Sequence, residues 1–203
     1  MTAKTKVLVS GFEPFGGAKL NPSQLLVSEL SKLEFESIEL STIVLPVEFE
    51  RATAILLRTV KEQKPEVVIA FGQAEGRTAI TPEKIAINFD DARIPDNSGD
   101  QRKNKLIDEL GNDGYFSTLP IEKMVEAMKA GGYPAEISLS AGAFVCNHIF
   151  YSLQRELQGL GIRSGFVHLP LVNEQSEEFP GKFTMKLNEM VSAAKAAIIA
   201  AAD

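Results

Sequence analysis

The sequence is poor in the residues that most often build metal and redox centres. Its 203 residues include one cysteine, two histidines and no tryptophan. A single cysteine excludes an intrachain disulfide, and neither a Cys-x-x-Cys motif nor a histidine-rich cluster is present. The composition therefore predicts no structural metal site.

Positive charge and long hydrophobic runs are also scarce. Lysine and arginine number 21 against 27 aspartates and glutamates, which gives a net charge of −6. This balance argues against a nucleic acid or an anionic membrane as a partner, because both bind basic surfaces. No run approaches the ~20 apolar residues that span a bilayer. The chain enters an apolar segment at Val7 without the hydrophobic stretch of a signal peptide, so we expect a cytoplasmic protein.

Predicted strands and helices alternate along the chain, whose length fits one domain over residues 1–203. Short apolar runs predict strands over residues 7–12, 38–45, 67–71, 85–89, 136–139 and 165–169. Helical periodicity and capping residues predict helices over residues 22–33, 47–63, 120–130, 146–157 and 183–202. This alternation predicts an α/β fold, a three-layer α/β/α sandwich with a largely parallel central sheet.

The one cysteine, Cys146, lies between a turn of small residues and an amphipathic segment at residues 149–157. This position predicts that Cys146 belongs to the first turn of a helix. The unpaired N–H groups and the helix dipole there favour a thiolate, which is a strong nucleophile. A buried, inert cysteine is the alternative, and the spacing alone does not decide between the two.

A cysteine nucleophile needs a base, and the candidates are His148 and His168. His148 follows Cys146 by two positions, and side chains so spaced point to nearly opposite sides of a helix. His168 ends an apolar strand, where a parallel sheet presents its ligand-binding groups, so it is the preferred base. The carboxylate that would orient the base stays open at this point. Acidic residues on predicted rim loops are Glu13, Glu75, Glu83, Asp90, Asp91 and Asp96.

Two further segments are candidates for parts of a ligand-binding site. The glycine-rich loop at residues 11–17 follows the first strand but lacks both the dinucleotide-binding and the P-loop pattern. Its phenylalanines, Phe12 and Phe15, suit a flat, uncharged ligand better than a phosphate. The polar stretch at residues 90–118 is too long for a plain connection, so we expect part of the site there.

Several motifs resemble the pyroglutamyl peptidase type I family of cysteine peptidases, and together they cover nearly the whole chain in family order. They are Gly11-Phe12-Glu13-Pro14-Phe15-Gly16-Gly17, Asn21-Pro22-Ser23, Gly72-Gln73-Ala74, Gly76-Arg77, Ile80-Thr81-Pro82-Glu83, Asp90-Asp91-Ala92-Arg93-Ile94-Pro95, Phe144-Val145-Cys146-Asn147-His148 and Gly165-Phe166-Val167-His168-Leu169-Pro170.

The resemblance implies a Cys146–His168–Glu83 triad that removes an N-terminal pyroglutamyl residue from peptides through a thioester. It also implies a homotetramer without metal or cofactor. The backbone N–H of Cys146 and the side chain of Arg93 are the implied oxyanion stabilisers. The residues that match the family's lactam pocket are Phe12, Phe15, Gln73, Ile94, Phe144 and Val145.

Two other functions remain as alternatives. A different cysteine hydrolase or amidotransferase would commonly flank its nucleophile with glycines on a sharp elbow, whereas Val145 and Asn147 flank Cys146. A non-catalytic binding domain with the same fold would carry an ordinary, slowly reacting thiol.

Overall fold

A five-stranded sheet lies at the centre of the protein in the structure, a computed structural model that describes residues 4–203. Residues 1–3 of the predicted domain lie outside the described part. The strands are β1 (Thr5–Phe12), β2 (Ile38–Leu45), β3 (Val67–Gln73), β4 (Thr81–Pro82), β5 (Ile85–Ile87), β6 (Gly114–Phe116), β7 (Arg163–Leu169), β8 (Leu171–Val172) and β9 (Thr184–Met185). The central order is β2-β1-β3-β7-β4, parallel except for β4.

Helices cover both faces of this sheet. They are α1 (Pro22–Leu30), α2 (Phe49–Gln63), α3 (Ile121–Ala130), α4 (Val145–Leu157) and α5 (Leu187–Ala202). One apolar cluster joins α1, α3 and α5 to one face of the sheet, and a second cluster joins α2 and α4 to the other face. The predicted three-layer α/β/α sandwich with a largely parallel sheet is confirmed. Among residues 4–203, no helix is both long and apolar enough to cross a membrane.

The position of β1 between two helical layers explains the continuous apolar run at residues 7–9. Side chains alternate between the two faces of a strand. Val7 and Val9 therefore join the cluster under α1, α3 and α5, whereas Leu8 joins the cluster under α2 and α4. Because both faces are covered, the strand interior is mostly apolar, and Ser10 is a buried polar exception. Such a strand positions the loop that follows it, residues 11–17, at one rim of the sheet.

The start of α1 follows the predicted cap. Asn21 has an extended backbone, and its side-chain oxygen accepts the backbone N–H of Ser23 at 3.0 Å. Pro22 occupies the first helical position, where its missing N–H costs nothing. The amide nitrogen of Asn21 donates to the backbone oxygen of Glu13 at 2.9 Å. The cap therefore also holds the glycine-rich loop against the helix.

The predicted strand at residues 136–139 is wrong. The segment is extended, but it forms only isolated bridges, from Ala135 to Ile80 and from Ser138 to Glu83. β4 beside it is two residues long, so no continuous ladder develops. The segment still receives and donates backbone hydrogen bonds along β4, for example from the N–H of Ser138 to the oxygen of Pro82 at 3.0 Å.

Several element boundaries also differ from the prediction. The terminal helix begins at Leu187 rather than at position 183, because residues 184–185 form β9 and pair with β8. Helix α2 begins at Phe49, where Asp96 accepts the backbone N–H at 3.1 Å. The polar stretch at residues 90–118 contains strand β6, which pairs antiparallel with β5.

Candidate active site

Cys146 lies in the first turn of α4, which begins at Val145 after the extended residue Phe144. Its sulfur rests against Gly72 of β3. A Cβ atom added at Gly72 would lie 3.1 Å from Cys146 Sγ and 2.7 Å from the ring of Phe166. Any larger residue at this position would displace the sulfur or the ring. Glycine therefore allows the thiol to approach the carboxyl end of β3.

His168 lies on β7 beside the same point, because it pairs with Gly72 in the register of the sheet. Its Nδ1 atom lies 2.7 Å from Oε1 of Glu83, and both side chains are buried. An ionised carboxylate only accepts hydrogen bonds, so Nδ1 donates its proton to Glu83. Nε2 is then the proton-accepting nitrogen, which is the tautomer that a general base needs.

Among the six acidic residues that the sequence leaves open, Glu83 is the one bonded to His168. Its backbone N–H donates to the oxygen of Phe166 at 2.9 Å, which holds it against β7. Other members of the set have different partners. These are His148 for Asp90, Lys103 for Asp91, Lys182 for Glu75, and backbone N–H groups for Asp96.

Arg77 is a neighbour of this pair that the sequence did not single out. Its guanidinium lies 3.3 Å from Oε1 of Glu83 and donates to the backbone oxygen of Ser140 at 3.0 Å. Oε2 of Glu83 is buried and has no hydrogen-bond partner among the described residues. Arg77 therefore supplies positive charge to a carboxylate that is otherwise poorly satisfied. It also ties the carboxylate to the turn that precedes Cys146.

The surroundings of Cys146 disfavour its ionised form. Burial, followed by the negative charge of Glu83, raises the pKa of the thiol to about 12, although the backbone N–H of Cys146 acts in the opposite direction. Of the two alternatives that the spacing leaves open, these surroundings favour the neutral thiol. The reason is that desolvation of the sulfur outweighs the stabilisation offered by the first turn of α4.

A small, narrow apolar cavity opens beside the sulfur. Its lining residues are Phe12, Phe15, Asn21, Val47, Gln73, Phe144, Val145 and Cys146. The rings of Phe15 and Phe144 lie 6.0 Å apart, and Phe144 also packs edge-on against Phe49. Gln73 and Asn21 belong to the wall but expose no polar atom into the cavity, so its surface suits a small apolar group.

Ile94 and Arg93 do not line this cavity. They lie in an adjoining open cleft of about 1140 Å³, which shares Phe15 and Gln73 with the cavity. Arg93 is exposed there. The cleft shares part of its wall with the cavity, but Cys146 does not line it. Through Arg93 and Ile94, the polar stretch at residues 90–118 lines this cleft.

The comparisons with known proteins agree with this geometry. The family model described as pyroglutamyl peptidase matches residues 5–203. The chain belongs to the pyroglutamyl peptidase family. Pyrrolidone-carboxylate peptidase of Vibrio vulnificus is 46% identical over 171 residues, which are 84% of this chain and 81% of the relative. The corresponding protein of Streptococcus suis is 43% identical over 195 residues, or 95% and 90% of the two chains.

Solved structures of the family have the same fold. Pyroglutamyl peptidase I from Bacillus amyloliquefaciens superposes with a TM-score of 0.94 at 39% identity, covering 98% of this chain and 95% of that one. A mutant pyrrolidone carboxyl peptidase from Pyrococcus furiosus superposes with a TM-score of 0.92 at 39% identity, covering 97% and 98%. The chain is therefore a cysteine peptidase of this family.

Two cavity residues of this family member were missed at the sequence level as binding residues. Asn21 was identified only as a helix cap, and Val47 only as part of a helix. Asn21 reaches the cavity because the loop at residues 11–17 folds back over the start of α1. Val47 precedes α2 and is buried in the same cluster as Phe12. No pattern in the sequence predicts these contacts, since both depend on how the loops pack.

The second histidine takes part in a separate buried cluster. Nδ1 of His148 lies 2.8 Å from Oδ2 of Asp90, which also accepts a hydrogen bond from Arg102 at 3.1 Å. Burial opposes the charge of Arg102, but hydrogen bonds to Asp100, Glu50 and Asp90 outweigh it and raise its pKa. This cluster joins α4 to the segment that carries Arg93 and Ile94, so His148 is engaged away from the sulfur.

Proposed function

We propose that this chain removes an N-terminal pyroglutamyl residue from peptides with Cys146 as nucleophile, His168 as general base and Glu83 as the orienting carboxylate. Membership of the pyroglutamyl peptidase family supports the activity. The observation that carries the residue roles is the 2.7 Å pair of His168 and Glu83, held at the strand end where the Cys146 sulfur meets Gly72.

In the first half of the reaction, Nε2 of His168 takes the proton of Cys146 as the sulfur attacks the pyroglutamyl carbonyl carbon. The carbonyl oxygen becomes an oxyanion. His168 then gives the proton to the leaving nitrogen, the C–N bond breaks, and the shortened peptide departs with a new amine. A thioester between Cys146 and the pyroglutamyl group remains.

In the second half, His168 takes a proton from a water molecule that attacks the thioester carbonyl. The C–S bond then breaks, free pyroglutamate leaves, and the sulfur recovers a proton from His168. The original thiol proton therefore leaves on the new amine, a proton from water replaces it on the sulfur, and the hydroxide from water ends in the pyroglutamate carboxyl group.

The resting nucleophile in this scheme is a neutral thiol, because the pKa of Cys146 is raised to about 12 by burial and by Glu83. Proton transfer to His168 then accompanies the attack rather than preceding it. Glu83 opposes charge on the sulfur but stabilises the imidazolium that forms next to it. Glu83 therefore favours turnover overall, provided that the proton of Cys146 moves to His168 only when substrate is bound.

The oxyanion would be stabilised by the backbone N–H of Cys146, one of the unpaired N–H groups in the first turn of α4. Arg93 is the second proposed donor. Its position in the adjoining cleft requires its flexible side chain to turn toward the cavity when substrate is bound. The N–H of Cys146 is the better supported of the two.

The cavity wall explains why the substrate would have a closed N-terminus. A pyroglutamyl residue has no α-ammonium, since its nitrogen belongs to the lactam ring. No carboxylate lines the cavity to pair with an ammonium. A free N-terminal glutamine would bring an unpaired charge among Phe12, Phe15 and Phe144, which costs several kcal/mol.

We further propose a cytoplasmic homotetramer. A reducing compartment keeps an unpaired catalytic thiol reduced. Several exposed apolar side chains support association: Leu110, Phe116, Leu139 and Leu160. The alanine-rich helix α5 buries Ala193, Ala194 and Ala197 within its own chain, so it offers little surface for association.

The direct test is hydrolysis of a pyroglutamyl-linked fluorogenic amide. We expect turnover by the natural sequence and none by Cys146→Ala, which keeps the fold and removes the nucleophile. Prolyl and glutaminyl amides should be cleaved at least ~100-fold less efficiently, since they lack the ring carbonyl or bring a charge. Failure of the natural sequence to release the fluorophore, or equal turnover by Cys146→Ala, would overturn the proposal.

A further inference from the structure

We propose that Arg77 is a positioning residue that couples the catalytic carboxylate to the turn preceding the nucleophile. Its guanidinium holds the Glu83 carboxylate in the orientation that His168 needs, and the same group binds the turn at residues 140–144 ahead of Cys146. The inference rests on the proposed function and adds a fourth residue, one that does not touch the substrate, to the catalytic unit.

One nitrogen of Arg77 makes both contacts. Nη2 lies 3.3 Å from Oε1 of Glu83 and donates to the backbone oxygen of Ser140 at 3.0 Å. Oε1 also lies 2.7 Å from Nδ1 of His168, so two donors converge on the same oxygen of a fully buried carboxylate. Oε2 has no hydrogen-bond partner among residues 4–203. Loss of Arg77 would therefore leave the carboxylate held by His168 alone.

The loop that carries Arg77 is fixed close to the base. It follows β3, and the backbone N–H of Ala74 donates to the oxygen of Leu169 at 2.9 Å, next to His168. The backbone N–H of Arg77 returns to the oxygen of Ala74 at 3.2 Å, and Gly76 between them has a φ of 86°. Glycine adopts this left-handed conformation without steric cost. The strand ends thus determine where the guanidinium lies.

The charge of Arg77 has a second effect on the same unit. A positive charge beside a buried carboxylate favours its ionised form, which desolvation opposes. The ionised carboxylate accepts the Nδ1 proton of His168 and stabilises the imidazolium that forms during turnover. Because a guanidinium remains protonated in proteins, Arg77 keeps Glu83 available as an acceptor throughout the reaction.

A double-mutant cycle separates this role from simple packing. Arg77→Met keeps the aliphatic bulk but removes the charge and both hydrogen bonds, so kcat/KM on a pyroglutamyl amide should fall roughly 10- to 100-fold. In the Glu83→Gln background the same substitution should cost less than about threefold, because the carboxylate through which Arg77 acts is absent. Additive losses in the double variant would overturn the inference.

Arg58 on α2 provides the matched control for the lost charge. Its side chain is largely exposed and pairs only loosely with Glu62, at 3.9 Å. Arg58→Met should leave kcat/KM unchanged, since an exposed ion pair contributes about 0–1 kcal/mol to stability. A loss equal to that of Arg77→Met would show that net charge, and not the contact with Glu83, sets the rate.

Two restorations test the chemistry of the contact. Since one nitrogen makes both contacts, the ammonium in Arg77→Lys has enough donors for the same two oxygens, and this variant should keep more activity than Arg77→Met. The Arg77 side chain is 29% exposed, so truncation in Arg77→Ala opens the site to solvent. Millimolar guanidinium chloride, far below denaturing concentrations, should then raise kcat/KM, whereas equal sodium chloride should not. Failure of both restorations would indicate a merely structural role and overturn the inference.

Proton NMR of the histidine rings gives a readout that needs no substrate. Each of the two histidines places Nδ1 beside a carboxylate, at 2.7 Å for His168 and at 2.8 Å for His148 with Asp90. Protons in such pairs resonate at low field, and His168→Ala identifies the signal of the catalytic pair. In Arg77→Met this signal should shift or broaden because Glu83 is no longer held, while the His148 signal stays unchanged. An unchanged His168 signal would contradict the proposed role.

The two proposals fail separately. If pyroglutamyl amides are not cleaved but the His168 signal depends on Arg77, the inference about Arg77 stands and the proposed function falls. If the amides are cleaved and the losses in Arg77→Met and Glu83→Gln are additive, the function stands and the inference falls.

Discussion

The thiol of Cys146 and the imidazole of His168 place opposite demands on Glu83. The carboxylate lies 2.7 Å from Nδ1 of His168 and favours the charged ring, while its negative charge raises the pKa of the nearby thiol. Burial raises that pKa further, to about 12. A thiol with such a pKa contains little thiolate at neutral pH, and its thiolate fraction grows about tenfold for each pH unit up to about 12. The residue that assists the base therefore also restrains the nucleophile.

Substitution of Glu83 by glutamine tests this double role. Glu83→Gln removes the charge, so the pKa of Cys146 should fall and alkylation by iodoacetamide between about pH 7 and 10 should accelerate. Turnover of a pyroglutamyl amide should instead drop by roughly 100-fold, less than in Cys146→Ser, because the imidazolium loses its counter-charge. The measurements are alkylation rates as a function of pH and kcat on the same protein.

Glu75 offers a matched control for that experiment. It lies in the same loop region, is partly exposed and pairs with Lys182 at 3.2 Å. Glu75→Gln should behave as the natural sequence does in both assays, since an exposed ion pair contributes about 0–1 kcal/mol. Slower alkylation of Glu83→Gln at every pH would show that Glu83 promotes the thiolate, contrary to our account.

Helix α4 carries two histidine-linked functions on different sides. Cys146 faces Gly72, which pairs with His168 in the sheet, whereas His148, two positions later, faces Asp90 and Arg102. The angle between consecutive positions of a helix separates the two sets of contacts. The second set fastens α4 to the segment that carries the cleft residues, so we assign it to the architecture of the site and not to its chemistry.

Alanine substitution of each histidine distinguishes these roles. His168→Ala should abolish turnover with an unchanged fold. His148→Ala should destabilise the protein by roughly 1–3 kcal/mol, since it leaves buried Asp90 with fewer partners, while kcat stays within about threefold below the unfolding transition. Thermal unfolding by circular dichroism and kcat measured at the same temperature provide the comparison. A His148→Ala protein that is folded but inactive would make His148 the base.

The surface of the whole molecule bears on its association. Apolar side chains at Leu110, Leu139 and Leu160 are largely exposed, with relative accessibilities of 95%, 73% and 63%. The apolar face of α5, in contrast, is buried within the chain against α3 and the sheet. The interface should therefore involve exposed loops and not the terminal helix.

Light scattering at micromolar concentration checks the expected tetramer. The natural sequence should have four times the mass of the 22.1 kDa chain. A monomer would contradict the prediction. Replacing the exposed Leu110 and Leu160 by serine should weaken association if these side chains are in the interface. Glu29 near the end of α1 and Lys32 just after it form an exposed ion pair. Replacing these two residues should leave the mass unchanged.

The sequence by itself determined the layers of the fold and the two principal catalytic candidates. Periods of two and of 3.6 residues are local properties, so strands such as β1 and helices such as α2 could be predicted from short windows. The preference for His168 over His148 came from spacing on one helix. Glu83 was one of six open carboxylates until the family motif at residues 80–83 singled it out.

The tertiary structure alone decided how these residues act. Glu83 and His168 are 85 positions apart and meet because β4 pairs with β7. The first-turn position of Cys146 favours a thiolate without deciding the matter, because the pKa of the thiol depends also on burial and on Glu83, neither of which a local window contains. Local pattern specifies which elements form, whereas contacts between distant segments set the charge and hydrogen-bonding direction of each functional group.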